Sequence, residues 1–287
     1  MWRIILVLSI LLTSITTACA ANDDPFPSVA SSYILRINGE TVWVHRPERR
    51  LAPASLTKIM TALLVLEREH LDRVVTVSSA AAAESGARIG LRRGDRMTVG
   101  NLLAATLIFS ANDACRALAD HVGGNRERFI TLMNERAEKL GLNGTHFSNP
   151  CGHDQPRHYS TARDLAILAE TALGNETFRY MVSLQQQEIR TVDGKRRFDL
   201  RNKNHLLGRY PGAAGVKTGL TPGAGGCLIA LAEREGTRVL LVMLHTRNRW
   251  HDAAAMLDMA FIRKGKVPFA NGSSVELRGI GNEKEGN

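Results

Sequence analysis

The period of the apolar residues changes twice along this 287-residue chain, and the order of those changes restricts the fold more than any other feature. Near the start, "SSYILRINGETVWVHR" alternates around Asn38-Gly39, the strongest short signal for a hairpin. From Ser55 the spacing becomes helical: Leu56, Ile59, Met60, Leu63 and Leu66 share a face, and Ala62, Leu64 and Val65 leave almost no polar side, which predicts a central helix. Residues 98 to 172 are predominantly helical in pattern, through "TVGNLLAATLIF", "NDACRALADHV", "RERFITLMNERAEKLG" and "TARDLAILAETAL", with turn chemistry between them. Alternation then returns in "QQQEIRTV" and "KRRFDL" around Asp193-Gly194, in "GAAGVKTG" leading into "GCLIALAER", and in "TRVLLVMLH" after Glu235-Gly236, before a closing helix near His251 to Ile262. Strands, a helical block, then strands is not the alternation of a parallel doubly wound sheet. It predicts an α+β fold, an antiparallel sheet whose two parts are joined by a large helical insertion.

The ends read differently. Residues 1–20 have the form of an export signal: Arg3, an apolar stretch from Ile4 to Ile15, then Ala18-Cys19-Ala20 as a small-x-small cleavage site. A largely apolar stretch of twelve residues is too short to span a bilayer, and no later segment does better, so no transmembrane span is expected in the mature chain. Lipid anchoring at Cys19 is disfavoured because Thr16, Thr17 and Ala18 lack the leucine that usually opens such a signal. The expected organisation is a signal at 1–20, one catalytic domain at 21–265 and a short polar tail at 266–287, with an exported, periplasmic or extracytoplasmic location.

Removing the signal leaves Cys115, Cys151 and Cys227, an odd number that argues against a disulfide framework while leaving one bridge and one spare thiol open. For Cys115 a buried free thiol is the default. The formal charge of +9 suits an anionic envelope polymer better than nucleic acid, since only 5% of residues are aromatic and no basic run is interleaved with them.

At "APASLTKIM" a serine and a lysine stand three positions apart, so Ser55 and Lys58 share a helix face. A neutral lysine amine can take the proton of a serine hydroxyl and make it a nucleophile. Neutrality requires lowering the lysine pKa from about 10.4 to between about 7 and 8, or roughly 4 kcal/mol, to which the helix N-terminus, apolar surroundings and a second cation contribute. The bland alternative is a capping serine and a lysine that snorkels to water. Among fifteen serines, only Ser55 has lysine at i+3.

Two further patterns join it: "SAN" at Ser110-Ala111-Asn112 and "KTG" at Lys217-Thr218-Gly219. Alone, Ser110 with Asp113 outlines a capping box, and the second is a strand with a glycine where the backbone needs room. In this order the three form the signature of penicillin-binding proteins and serine β-lactamases. The chain resembles the serine-type D-alanyl-D-alanine carboxypeptidase family, the low-molecular-mass penicillin-binding proteins. The likeness runs over about residues 26 to 263, through "PASLTKIMTALLVLE", "SANDACRALADHVGG", "LGLNGTHFSNPCGHD", "HYSTARDLAILA", "NKNHLL", "GVKTGLTPGAGGCLIALAEREG" and "RWHDAAAMLDMAF".

The resemblance implies a β-lactamase/transpeptidase-like fold, with an antiparallel sheet of about five strands flanked by helices and a helical subregion beside the cleft. It makes Ser55 the acyl-ester nucleophile, Lys58 its proton acceptor and Ser110 the relay toward the leaving amine. Asn112 would hold Lys58 and the substrate amide, and Lys217 would be the second cation. Thr218 and Arg249, with Arg247 the weaker alternative, would bind the terminal carboxylate. Gly219 would let the strand come close to the acyl group, and the backbone N–H groups of Ser55 and Leu220 would form the oxyanion hole. The implied reaction removes the terminal D-alanine of peptidoglycan stem pentapeptides, with β-lactams as covalent inhibitors and no cofactor. DD-endopeptidase action on cross-links is the alternative, and a non-catalytic peptidoglycan-binding protein would be expected to have lost Ser55, Lys58 or Lys217.

The sequence departs from the family in three places. Ala111 stands where glycine is frequent, His153 where an apolar residue is usual, and the long C-terminal β-rich domain with its amphipathic helix is not expected from the short polar stretch after Lys264. A class A β-lactamase deacylates with a glutamate four residues before an asparagine, and Glu127, Glu135, Glu138, Glu170, Glu176 and Glu188 all fail that spacing, so slow release of a penicillin adduct is expected. No serine is flanked as Gly-x-Ser-x-Gly, which removes the α/β-hydrolases. Cys151, His153, Asp154 and His158, with His146 nearby, crowd together without a regular zinc spacing, so no metal is expected there.

Overall fold

The computed structural model describes residues 24–264; the signal at 1–20 and the tail at 266–287 lie outside the described residues. The chain begins with β1 (Ala30–Ile37) and β2 (Glu40–His45), passes through a 3-10 turn at Ala54–Thr57 and enters α1 (Lys58–Arg68). It continues through β3 (Val74–Thr76), α2 (Ser79–Ala82), β4 (Arg96–Thr98) and α3 (Val99–Ala104), which runs into a π-helical turn at Ala105–Phe109. Then follow α4 (Asn112–Gly123), α5 (Arg126–Lys139), α6 (Ala162–Leu173) and α7 (Glu176–Ser183). The last part holds β5 (Gln186–Arg190), β6 (Arg197–Arg201), β7 (Ala213–Thr221), β8 (Gly225–Arg234), β9 (Thr237–Thr246) and α8 (Arg249–Lys264).

The main sheet has five antiparallel strands in the order β2-β1-β9-β8-β7. Its first hairpin turns at Asn38 and Gly39, both left-handed (φ 51° and 86°), as a two-residue loop between right-twisted strands requires. Because β1 pairs with β9, the first hairpin closes onto the last, and everything from α1 to β6 is inserted between them. This is the antiparallel sheet with a helical insertion that the order of patterns predicted.

Alternation along the central strands feeds two cores. Tyr33, Leu35, Leu228, Ala230, Leu241 and Met243 face α8, packing with Met256 and Leu257. Ile34, Ile229, Leu231, Leu240 and Val242 face the other way and join α1, α4 and α6 in the larger core. Strands buried on both faces read as continuous apolar runs, which is why "GCLIALA" and "VLLVML" show so little polar alternation. Residues 58 to 65 of α1 are all buried, so α1 is the central helix.

The structure corrects the sequence reading in several places. Ser55 lies in the 3-10 turn before α1 rather than inside the α-helix. The "QQQEIRTV" hairpin forms its own two-stranded ribbon, as do the short β3 and β4, while α7 was not anticipated. Asp113 does not close a capping box with Ser110: Ala111 occupies the N-cap of α4 without a side-chain bond, and the Asp113 carboxylate accepts backbone N–H groups of Ile89, Gly90 and Leu91 at 3.3, 2.9 and 2.9 Å. Cys115 is not a free thiol; it is bonded to Cys151, and Cys227 is the buried free cysteine among the described residues. Spacing along a chain says nothing about which sulfur faces which across a loop.

Candidate active site

The 3-10 turn brings the first pair together. With about three residues per turn, side chains at i and i+3 eclipse, so Ser55 stands directly over Lys58. Lys58 Nζ is 2.9 Å from Ser55 Oγ. The turn is pinned by a hydrogen-bond chain with only one consistent set of protons. Ser148 N–H donates to His158 Nδ1 at 3.0 Å, so Nε2 carries the proton and donates to Thr57 Oγ1 at 2.9 Å, and that hydroxyl donates to the Ala54 carbonyl at 2.8 Å. The chain needs a neutral imidazole, and burial pushes the His158 pKa down to about 4.

Lys58 is completely buried. Besides Ser55 Oγ, its Nζ meets Asn112 Oδ1 at 2.7 Å and the Cys151 carbonyl oxygen at 2.6 Å. The Asn112 amide is oriented without ambiguity, because its Nδ2 donates to the Ser85 carbonyl at 2.6 Å. Both carbonyl oxygens can only accept. A neutral amine has two N–H donors and one lone pair, so the two carbonyls take both protons and the lone pair is left for Ser55 Oγ. Burial first, and the nearby Lys217 charge second, hold the Lys58 pKa well below its ordinary value, against the opposing pull of Glu84 and Asp113. The capping-and-snorkelling alternative is excluded by this geometry.

The opposite wall comes from α4 and the edge strand β7. Ser110 has a left-handed backbone (φ 67°) at the end of the π-helical turn, an unusual conformation for a residue with a side chain. Lys217, also buried, donates from Nζ to Ser110 Oγ at 2.9 Å. Burial, then Arg249 and Lys203, push the Lys217 pKa down to about 7, so both lysines of the cleft are held below the ordinary value. Thr218 is buried beside Lys217, and Leu220 is half exposed. Arg249, at the head of α8, donates from Nη1 to the Gly219 carbonyl at 2.7 Å and stacks on Trp250, with its guanidinium carbon 4.8 Å from the ring centroid.

Gly219 is where the walls meet. A Cβ there would lie 2.9 Å from Ala54 Cβ and 3.1 Å from Ser55 N, so only glycine lets β7 press against the Ser55 turn. The close approach is thus to the backbone of the nucleophile's turn. Gly152 does the same from the other side: its Cβ would lie 2.0 Å from the Ala54 carbonyl oxygen.

Sequence reasoning missed the loop at 140–161. Asn149 Oδ1 accepts the N–H groups of Cys151, Gly152 and His153 at 3.2, 2.7 and 3.0 Å, which turns the Cys151 carbonyl toward Lys58. His153 pairs with Glu84 at 3.0 Å rather than with a metal ligand, and Cys151 sulfur is taken by the disulfide. The signal available in the sequence was Asn149 itself, whose side chain favours such local backbone bonds. Among the described residues no helix is long and apolar enough to cross a membrane.

Fold and cleft together are those of the serine–lysine peptidase class. The chain belongs to the D-alanyl-D-alanine carboxypeptidase family, whose model matches residues 22–248. It is 38% identical over 236 residues to the D-alanyl-D-alanine carboxypeptidase DacF of Bacillus subtilis, covering 79% of this chain and 60% of that one. With DacC of Escherichia coli it shares 34% identity over 257 residues, covering 82% and 62%. The chain thus spans about three fifths of the length of these two relatives. Among solved structures, a single-site mutant of a Streptomyces DD-transpeptidase superposes with a TM-score of 0.78 at 34% identity, covering 82% of this chain and 98% of the other. A D-alanyl-D-alanine carboxypeptidase of Mycobacterium tuberculosis gives 0.77 at 29% identity, covering 81% and 91%.

Proposed function

We propose that this chain is a serine D-alanyl-D-alanine carboxypeptidase that releases the terminal D-alanine of peptidoglycan stem pentapeptides. The observation that carries this reading is the buried Lys58 amine, its pKa held well below the ordinary value, 2.9 Å from Ser55 Oγ and otherwise in contact with two carbonyl oxygens, so that on losing its charge it has its lone pair free for Ser55. Lys58 takes the Ser55 proton, and Oγ attacks the carbonyl carbon of the penultimate D-alanine. The oxyanion is received by the N–H groups of Ser55 and Leu220, a placement supported by the approach of β7 to Ser55 N at Gly219. Collapse breaks the amide bond, the departing amine gains a proton through Ser110, and water hydrolyses the ester. Asn112 holds the substrate amide, while Lys217, Thr218 and Arg249 receive the terminal carboxylate, a role supported by three donors gathered at one end of the cleft.

A β-lactam presents the same carboxylate and a strained amide, so it acylates Ser55, and no glutamate at the deacylating spacing follows to release it. The disulfide supports export to an oxidising compartment, in line with the signal-like segment at 1–20.

Incubation with uncross-linked pentapeptide and with cross-linked dimers, followed by mass identification of the products, tests the reading. The expected product is free D-alanine from the pentapeptide, lost in a folded Ser55→Ala variant together with covalent penicillin labelling. Cleavage of dimers alone would make the chain an endopeptidase. Fast turnover of penicillin without a trapped adduct would overturn the assignment.

A further inference from the structure

Lys58 is held by two acceptors from parts of the chain that share no secondary structure. Asn112 opens α4, and Cys151 lies in the loop between α5 and α6. That loop has no helix or strand of its own; two isolated bridges, Leu51 to Ser160 and His146 to Tyr159, tie down its far end. Near the site it is fastened by the Thr61 hydroxyl, which donates to the Pro150 carbonyl at 2.6 Å, by the His153–Glu84 pair at 3.0 Å, by Asp154, which accepts from Thr221 Oγ1 and Gly223 N at 2.7 and 2.8 Å, and by one covalent link to α4, the tie nearest the Cys151 carbonyl. The link is the Cys115–Cys151 disulfide, which leaves α4 three residues after Asn112 and arrives on the residue whose carbonyl meets Lys58.

We propose that the Cys115–Cys151 disulfide is a positioning element for the reaction, joining the two arms that clamp the Lys58 amine so that its lone pair stays on Ser55. The inference rests on the roles proposed above for Ser55 and Lys58. Both cysteines are buried, 0% and 2% exposed, so native protein presents no sulfur to a reductant and the link is permanent rather than a switch. The chain between them, 36 residues in separation, is long enough for the bridge to stabilise the fold as well. A bridge that acted on stability alone would leave the acylation chemistry of the folded protein untouched.

With the bridge absent, the Cys151 arm can move away from α4. Water then reaches the amine, relieves the burial that keeps it neutral, and the base holds its proton to higher pH. Misplacement by about 1 Å is enough to cost on the order of 100-fold in rate.

The chain produced in a reducing cytosol and purified with a thiol reductant carries Cys115 and Cys151 as free thiols beside Cys227, and because both are buried the bridge is closed by unfolding a portion of the same sample and refolding it with oxidised glutathione. The two thiols give up two protons and two electrons, and the oxidant leaves as two molecules of glutathione. Acylation by a fluorescent penicillin is measured across a pH series before and after closure, with near-ultraviolet circular dichroism reporting the fold. The reduced, folded chain is expected to acylate on the order of tenfold to 100-fold more slowly, with its ascending limb displaced to higher pH, and closure is expected to restore both. The Cys115→Ser/Cys151→Ser variant is expected to match the reduced chain and to ignore the oxidant. Equal rates and superimposed pH profiles would overturn the proposal, and so would a chain that becomes native only on oxidation, since the bridge would then act on folding alone. If the closed wild-type chain forms no penicillin adduct at all, the failure lies with the Ser55 reading instead.

Discussion

Lys217 Nζ donates to Ser110 Oγ at 2.9 Å, joining residues 107 positions apart into one wall of the cleft. The Lys217 charge is, after burial, the second cause that lowers the Lys58 pKa, so the protonation of one lysine bears on the other. Lys58, the proposed base, acts only when uncharged, and Lys217, the proposed anion-binding cation with a pKa of about 7, acts only when charged.

The pH dependence of kcat/KM follows from that pair. Activity rises as Lys58 loses its proton, well below the ordinary 10.5, and falls again as pH climbs past about 7 and Lys217 loses its own. The fall belongs to the free enzyme, so kcat, measured with carboxylate bound, is expected to decline at higher pH than kcat/KM. In Lys217→Gln the descending limb disappears and the ascending limb moves up, because one cation no longer opposes the Lys58 charge. A steady-state pH series on both proteins checks this; an unmoved ascending limb contradicts the coupling.

Arg249, proposed to receive the terminal carboxylate, is a planar cation anchored on the Gly219 carbonyl and on Trp250. Losing a charge-assisted hydrogen bond typically costs about 2–3 kcal/mol, so Arg249→Gln is expected to raise KM roughly 30-fold to 150-fold with a smaller change in kcat. A substrate amidated at its terminal carboxylate should feel the substitution far less. Equal losses on both substrates would show that Arg249 acts on the fold instead.

Gly219 and Gly152 fix the Ser55 turn from opposite sides. Gly219→Ala places a methyl group 3.1 Å from Ser55 N and 3.2 Å from the Pro53 carbonyl oxygen, and forcing it in costs about 1–3 kcal/mol. Gly152→Ala is expected to be worse, because its φ of 92° is itself strained for alanine and the added carbon lies 2.0 Å from backbone. Chemical denaturation orders the two, and Gly219→Ala should slow penicillin acylation even where the protein remains folded.

His158 ties stability to pH. Its folded pKa of about 4 lies below the ordinary 6.5, so the unfolded chain binds the extra proton in between. The stabilisation is fully present above 6.5 and is lost as pH falls toward 4, an effect on the order of 3 kcal/mol for this nearly buried ring. Unfolding midpoints measured through that range should fall steeply in the parent protein and more gently in His158→Asn. Parallel curves would assign the acid sensitivity to other groups.

Much of the fold was legible because its signals are local. Asn38-Gly39 sets its own turn, and the Leu56 to Leu66 spacing describes a helix with no solvent face wherever it is placed. The less legible elements are short or irregular: β3 and β4 have three residues each, and the loop at 140–161 takes its shape from Asn149 and from partners far away in sequence.

From the sequence alone came the residue types able to do the chemistry and their order along the chain: Ser55 with Lys58, Ser110 with Asn112, then Lys217 to Gly219. Tertiary structure decided everything that depends on approach between distant segments. It buried Lys58 and surrounded its amine with two acceptors, drew β7 against the Ser55 turn through Gly219, and paired Cys115 with Cys151. Charge state, hydrogen-bond direction and sulfur pairing are set by the dielectric and the partners around an atom, and those exist only once the chain has closed on itself.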